Sequence, residues 1–192
     1  MKIYLVIIFH ALFALSLAQA QHFNLGIKGG LNFYTIHNNN NVKFDPITDV
    51  HFGLLGHIHL DRQYAIQPEL VYSAQGAQIS SNSKIMLKYI NFPVLFQYMF
   101  DNGFRLQAGP QVGFLLNAKS KINSTSTDVD QNFESVDVGL SAGIGYVHPP
   151  SGIGFDLRYN AGLSNINVPK TTVKSTNNGL QLGLFYLFNH KS

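Results

Sequence analysis

The chain reads as all-β, an eight-stranded antiparallel up-and-down transmembrane β-barrel. Three observations predict it. In residues 103–117, GFRLQAGPQVGFLLN, Phe104, Leu106, Ala108, Pro110, Val112, Phe114 and Leu116 alternate with Arg105, Gln107, Gly109, Gln111, Gly113, Leu115 and Asn117. Successive strand side chains point to opposite faces, so one face is apolar and the other mostly polar or glycine. The run outlasts the ~5–6 residues of a globular strand and suits the ~9–11 that cross a bilayer. The same pattern recurs along the chain, and the connections alternate between short and long, as in bacterial barrels.

The first strand, Phe23 to Thr35, sets Phe23, Leu25, Ile27, Leu31 and Phe33 against Lys28, Asn32 and Tyr34. The second, Val50 to Leu60, alternates Phe52, Leu54, Ile58 and Leu60 with His51, His57 and His59. The third, Tyr64 to Ala77, opposes Tyr64, Ile66, Leu70 and Tyr72 to Gln67, Glu69, Ser73 and Gln75. The fourth, Ile85 to Phe100, carries Ile90, Phe92, Val94, Phe96 and Tyr98 on its apolar face. The fifth is the run quoted above. The sixth, Ser135 to Val147, sets Val136, Val138, Leu140, Ala142, Ile144 and Tyr146 against Asp137, Ser141 and three glycines. The seventh, Ile153 to Ser164, opposes Phe155, Leu157 and Tyr159 to Asp156, Arg158 and Asn160. The eighth, Gly179 to Asn189, presents Leu180, Leu182, Leu184, Tyr186 and Phe188.

Short connections, rich in turn formers, fall at 61–63, 101–103 and 148–152. Long ones, rich in Asn, Ser and Thr, fall at 36–49, 78–84, 118–134 and 165–178. Because the first is long, loops after odd strands face outward and both ends of the barrel lie on the periplasmic side.

Residues 1–20 predict a cleaved signal peptide. Lys2 supplies a positive start, Ile3 to Leu17 is almost wholly apolar, and Ala18-Gln19-Ala20 is a small-residue cleavage site. Residues 21–192 then form the barrel domain. The chain has no cysteine, so it uses neither disulfides nor thiol chemistry. Its 17 Gly, 15 Phe and 9 Tyr suit strands and a narrow interior. A net charge of +3, with no basic stripe, gives no argument for nucleic acid.

A soluble, lipocalin-like barrel is the alternative, with the apolar faces turned inward. Bulky apolar sets on eight strands would overfill a small barrel, whereas glycine, amides and charges suit a narrow lumen.

The segments IQPELVYSAQGA (66–77), KYINFPVLFQYMF (88–100), LQAGPQVGFLLNAK (106–119), VDVGLSAGIGYV (136–147) and FDLRYNAGLSNI (155–166) resemble the PorT-like outer-membrane β-barrel domain family. The resemblance runs from Gly26-Ile27-Lys28-Gly29-Gly30 to the last strand. It implies a small barrel of the porin family in a Gram-negative outer membrane, with protein secretion as one association. Pro68, Pro93 and Pro110 sit awkwardly in such strands, because proline cannot donate to a ladder. Bulges or strand starts are expected there.

Six charged residues fall on the predicted interior face: Lys28, Glu69, Arg105, Asp137, Asp156 and Arg158. A buried charge is costly unless paired, so pairing between adjacent strands, with Asp137 near Asp156 and Arg158, is expected to plug the lumen. His51, His57 and His59 share a face, but no reliable third ligand accompanies them, so no metal or cofactor is expected. Ser73, His57 or His59, and Glu69 are the candidates for a lipid-modifying hydrolase; their spacing matches no motif, and an enzyme is not expected.

Two functional classes remain. One is a structural or interaction barrel of the cell envelope, monomeric, in contact with outer-membrane lipid and, through its outer loops, with other envelope proteins. The other is a small porin or transporter, which eight strands argue against. No peptidoglycan-binding domain is expected after the last strand, and so no cell-wall tethering.

Overall fold

The computed structural model describes residues 23–168 and 172–188. The expected signal peptide, 1–20, and Asn189, the expected end of the last strand, lie outside them. Among the described residues the strands are β1 (Phe23–Asn38), β2 (Asp45–His59), β3 (Tyr64–Ser80), β4 (Ser83–Met99), β5 (Phe104–Ile122), β6 (Thr125–Asp128), β7 (Val136–Val147), β8 (Ile153–Gly162) and β9 (Ser175–Leu187), with a 3-10 turn at Asp130–Asn132. Eight of them form a closed ring in the order β1-β2-β3-β4-β5-β7-β8-β9. β9 returns to β1 as an antiparallel pair running from Gly26↔Leu187 to Asn38↔Ser175. The short β6 lies outside the ring, folded back on the outer end of β5. The predicted eight-stranded antiparallel barrel is therefore the observed one.

The period-two patterns fix which face is which. Phe104 is 49% exposed and Leu184 67%, whereas Lys28 and Arg158 are 5% and 1% exposed. Val112 lies on the same outer face, half-buried between Phe92 and Val138. On β1 the outward apolar set runs from Phe23 to Phe33. That is roughly 33 Å of strand, or roughly 25 Å of height at a ~40° tilt, the thickness of a barrel's lipid-facing band. A continuous apolar belt of this size exceeds any patch a soluble monomer exposes. The lipocalin-like alternative, which needs these faces inside, fails here.

Aromatic rings crowd the short-turn end of the belt. Tyr64 packs on Phe96 and Tyr98, Tyr98 on Phe100, Phe104 on Tyr146, and Tyr186 on Phe188, with ring centroids 4.9–5.6 Å apart. Such rings suit the bilayer interface, where an apolar body meets a wet edge.

The outer connections are more ordered than their composition suggests. Residues 78–84, expected as a long loop, form a hairpin: Gln78 pairs with Lys84 and Ser80 with Ser83, Ile79 is bulged out between them, and Ser81 and Asn82 make the turn. Much of 118–134 is the end of β5 together with β6 and the 3-10 turn. Ser, Thr and Asn there report exposure to water rather than absence of pairing.

The prolines are also placed differently from expectation. Pro68, Pro93 and Pro110 all lie within strands, and register does not shift at any of them. The β2–β3 ladder keeps one register from Leu55↔Glu69 to Ile58↔Ile66 across Pro68, and the β4–β5 ladder does the same from Pro93↔Gln111 to Phe96↔Ala108 across Pro110. The ladders open for two residues and resume, because each proline withholds a donor from one neighbour only. The irregularities sit elsewhere, at 46–51, 78–80 and 88–89.

Candidate functional site

Burying an inward-facing polar group without a hydrogen-bond partner is costly, because the belt leaves it no route to the water outside. The centre of the lumen is a four-residue charge network. Arg158 on β8 donates from Nη1 to Glu69 Oε2 and from Nη2 to Glu69 Oε1, both at 2.8 Å, a bidentate pair. Its Nη2 also donates to Asp156 Oδ2 at 2.8 Å. Lys28 on β1 completes the set, with Nζ 3.2 Å from both Glu69 Oε2 and Asp156 Oδ2. All four side chains are at most 1% exposed, and their formal charges cancel.

The expected pairing between adjacent strands is corrected here. β3 and β8 are four strands apart in either direction around the ring, so Glu69 and Arg158 meet across the full diameter of the lumen. Lys28, on β1, sits midway between them. Small residues make the reach possible. A Cβ on Gly143 would lie 2.2 Å from Leu157 O and 3.0 Å from Arg158 Cγ, and one on Gly145 would lie 3.2 Å from Arg105 Cγ. The two arginine stems lie where these glycines have no side chain.

Arg105 and Asp137 stand apart from the network. Arg105 Nη1 donates to Gln97 Oε1 at 3.2 Å, and its guanidinium carbon lies 5.9 Å above the Phe185 ring. Among the described residues it forms no ion pair. Gln97 Nε2 donates to Gln67 Oε1 at 3.0 Å, and Gln67 Nε2 to Glu69 Oε1 at 2.6 Å, so two amides carry the link from Arg105 to the carboxylate. Asp137 lies at the outer end of β7 and accepts from Ser164 Oγ at 2.7 Å. It is remote from Asp156 in register: Gly145, not Asp137, pairs with Asp156.

Above the charges lies a tier of amides and hydroxyls. Asn32 Nδ2 donates to Ser73 Oγ at 2.9 Å and to Ala74 O at 2.8 Å, and Gln181 Nε2 donates to Asn32 Oδ1 at 3.0 Å. Gln75 Nε2 donates to Ser73 Oγ at 2.8 Å, and Gln75 Oε1 accepts from Asn177 Nδ2. Two apolar clusters close the ends. Leu55, Val147, Phe185 and Leu187 fill the short-turn end. Ile36, Ala77, Leu87, Tyr89, Ala118 and Ile166 fill the outer end, backed by Phe44, Val129 and Phe133 from the loops. The sequence patterns did not single out these inward apolar residues. On β9 the run LGLFYL is apolar on both faces, so alternation gives no signal there.

The hydrolase candidates are not assembled. Ser73 lies opposite His51 in the β2–β3 register, while Glu69 lies opposite Leu55 and is held by Arg158 and Lys28. His57 and His59 pack edge-on with ring centroids 4.5 Å apart. Among the described residues no group of three His, Asp or Glu converges to hold a metal ion.

A closed ring with an outward apolar belt, an aromatic rim and a polar lumen defines the class: a transmembrane barrel of the bacterial outer-membrane type. The chain belongs to the outer membrane protein beta-barrel domain family, whose profile matches residues 18–168. No curated protein sequence matches it. Among solved structures it is similar to Neisserial surface protein A, at a TM-score of 0.59 and 11% identity, over 84% of this chain and 96% of that one. It is also similar to Ail, the attachment invasion locus protein of Yersinia pestis, at a TM-score of 0.54 and 15% identity, over 86% and 98% of the two chains. The same protein in complex with the heparin analogue sucrose octasulfate gives a TM-score of 0.53 and 16% identity, over 87% and 99%. These likenesses are of fold. The protein is located in the outer membrane of a Gram-negative bacterium.

Proposed function

We propose that this barrel is a sealed structural or interaction element of the cell envelope, not a pore. One observation carries the reading: the lumen is occupied along its length, by an apolar floor, a neutral charge network, an amide tier and an apolar cap. A solute would have to break the diametric Glu69–Arg158 pair to pass. The chain's contacts with other molecules then fall to its lipid-facing belt and its outer hairpins. The protein reaches the membrane by export on residues 1–20, with cleavage after Ala20, and acts as a monomer without a cofactor and without catalysis. The resemblance to PorT-like barrels supports an accessory role in protein secretion.

The porin alternative is tested by conductance. Purified protein refolded into planar bilayers, with heat-modifiable gel mobility as the check on folding, is expected to give no steady channel current. Large steady currents from folded protein would overturn the sealed-barrel reading.

A further inference from the structure

The β4–β5 hairpin continues past the belt on the long-loop side, and its outward face there is basic. Alternation places Lys84, Met86, Lys88 and Ile90 of β4 on the outer face, with Leu87 and Tyr89 buried inside. On β5 the irregularity at 88–89 resets the phase, so Asn117, Lys119 and Lys121 point outward while Ala118 is buried. The register then brings four lysines together. Lys84 is directly opposite Lys121, Met86 opposite Lys119, and Lys88 opposite Asn117.

Like charges directly opposite on one face of a sheet destabilise it. Here two lysines face each other and a third is their diagonal neighbour. The flanking strands offer little compensation. Gln78 is beside Lys84, and Ala74 beside Lys88, on β3. On the other side Asp128 of β6 is opposite Lys119, and Ser126 opposite Lys121. Asp128 instead accepts from Asn117 Nδ2 at 3.2 Å. Asp45 is the next acid along the Lys84 row, two strands away beyond Gln78. Among the described residues none of the four lysines is within ion-pair distance of a carboxylate.

The patch begins where the lipid-facing band ends. Lys88 is two residues beyond Ile90 and four beyond Phe92, and Lys119 follows Phe114 and Leu116 on β5. From Ile90 to Lys84 is roughly 20 Å of strand. The cations therefore stand on the surface that faces the surrounding lipid, directly above its acyl chains. They do not face the lumen, nor are they confined to the hairpin tip.

We propose that the outward face of this hairpin binds the phosphorylated headgroup of an outer-leaflet lipid. Acyl chains would lie along Ile90, Phe92, Phe114 and Leu116, and the phosphates among Lys84, Lys88, Lys119 and Lys121. The anion neutralises the opposed lysines, and the apolar belt holds the same molecule's chains. That combination favours a lipid over a soluble polyanion, which would gain nothing from continuity with the belt.

The test is native mass spectrometry of the full-length folded protein in mixed micelles containing bisphosphorylated lipid A, dephosphorylated lipid A or phosphatidylcholine. The wild type is expected to retain the bisphosphorylated lipid selectively. Each Lys→Gln change among the four should weaken retention roughly fivefold, with Lys119→Gln weakest because Asp128 already lies opposite it. Asp128→Asn should strengthen retention, and replacing all four lysines by Arg should preserve it. Arg62→Gln, at a periplasmic turn, should leave retention unchanged, and heat-modifiable mobility confirms that each variant is folded. Equal retention by wild type and the four-Gln variant would overturn the proposal, as would indifference to the lipid's phosphates. So would lysine-dependent binding of soluble heparin without lysine-dependent lipid retention, since the surface would then serve a soluble polyanion.

Discussion

Arg158→Met asks whether the charge network holds the barrel together. The change keeps most of the side chain's length and apolar volume while removing the guanidinium that holds Glu69 in a bidentate pair and Asp156 through a third bond. The intact network holds two cations and two anions. Without Arg158, Lys28 alone must serve two carboxylates, and the network carries one uncompensated negative charge. Breaking a buried pair by removing one partner costs about 3–5 kcal/mol. Adding Glu69→Gln restores neutrality, leaving Lys28 and Asp156 at 3.2 Å, so the double variant should be more stable than Arg158→Met alone. The assay is equilibrium urea unfolding in lipid vesicles, with the folded fraction read by gel mobility and circular dichroism. A loss below about 1 kcal/mol for Arg158→Met would refute the reasoning, and so would a double variant whose loss equals the sum of the two singles.

Arg105→Met should be milder, less than half the loss of Arg158→Met in the same titration, because Arg105 gives up one amide hydrogen bond and a ring contact and orphans no carboxylate. Leu184→Arg tests the belt. Leu184 is 67% exposed and pairs with Gly29 near mid-height of β1, so the substitution should cost about 2–4 kcal/mol in vesicles; a neutral effect would place this face outside the hydrocarbon.

The architecture was legible because a strand's period of two is written directly in residue order. Phe23, Leu25 and Ile27 against Lys28 and Asn32 already assign lipid side and lumen side, and eight such runs give the ring. The partner of each interior charge was not legible. Alternation says that Glu69 and Arg158 point inward, but which wall faces which depends on strand tilt and stagger, and these have no local signature. Nearest-strand pairing was therefore the natural expectation for Arg105 and Asp137, and the barrel places both elsewhere. The apolar ends of the lumen were hidden for a different reason. Phe185 and Leu187 lie in a stretch apolar on both faces, where the period is silent. The loops misled through composition, since Ser80, Ser83 and Thr125 are polar yet paired.

The diametric tie also orders events in time. Glu69 and Arg158 are separated by 89 residues, and their strands come into opposition only when β9 reaches β1. Until that seam shuts, an unclosed sheet leaves both side chains hydrated, so the network can contribute little before the last strand docks. Substitutions in it should then leave the rate of folding nearly unchanged and accelerate unfolding, the behaviour of contacts absent from the transition state. The network thus acts as a latch, set last and released first, and the lifetime of the folded barrel in the membrane depends on it more than the speed of assembly does.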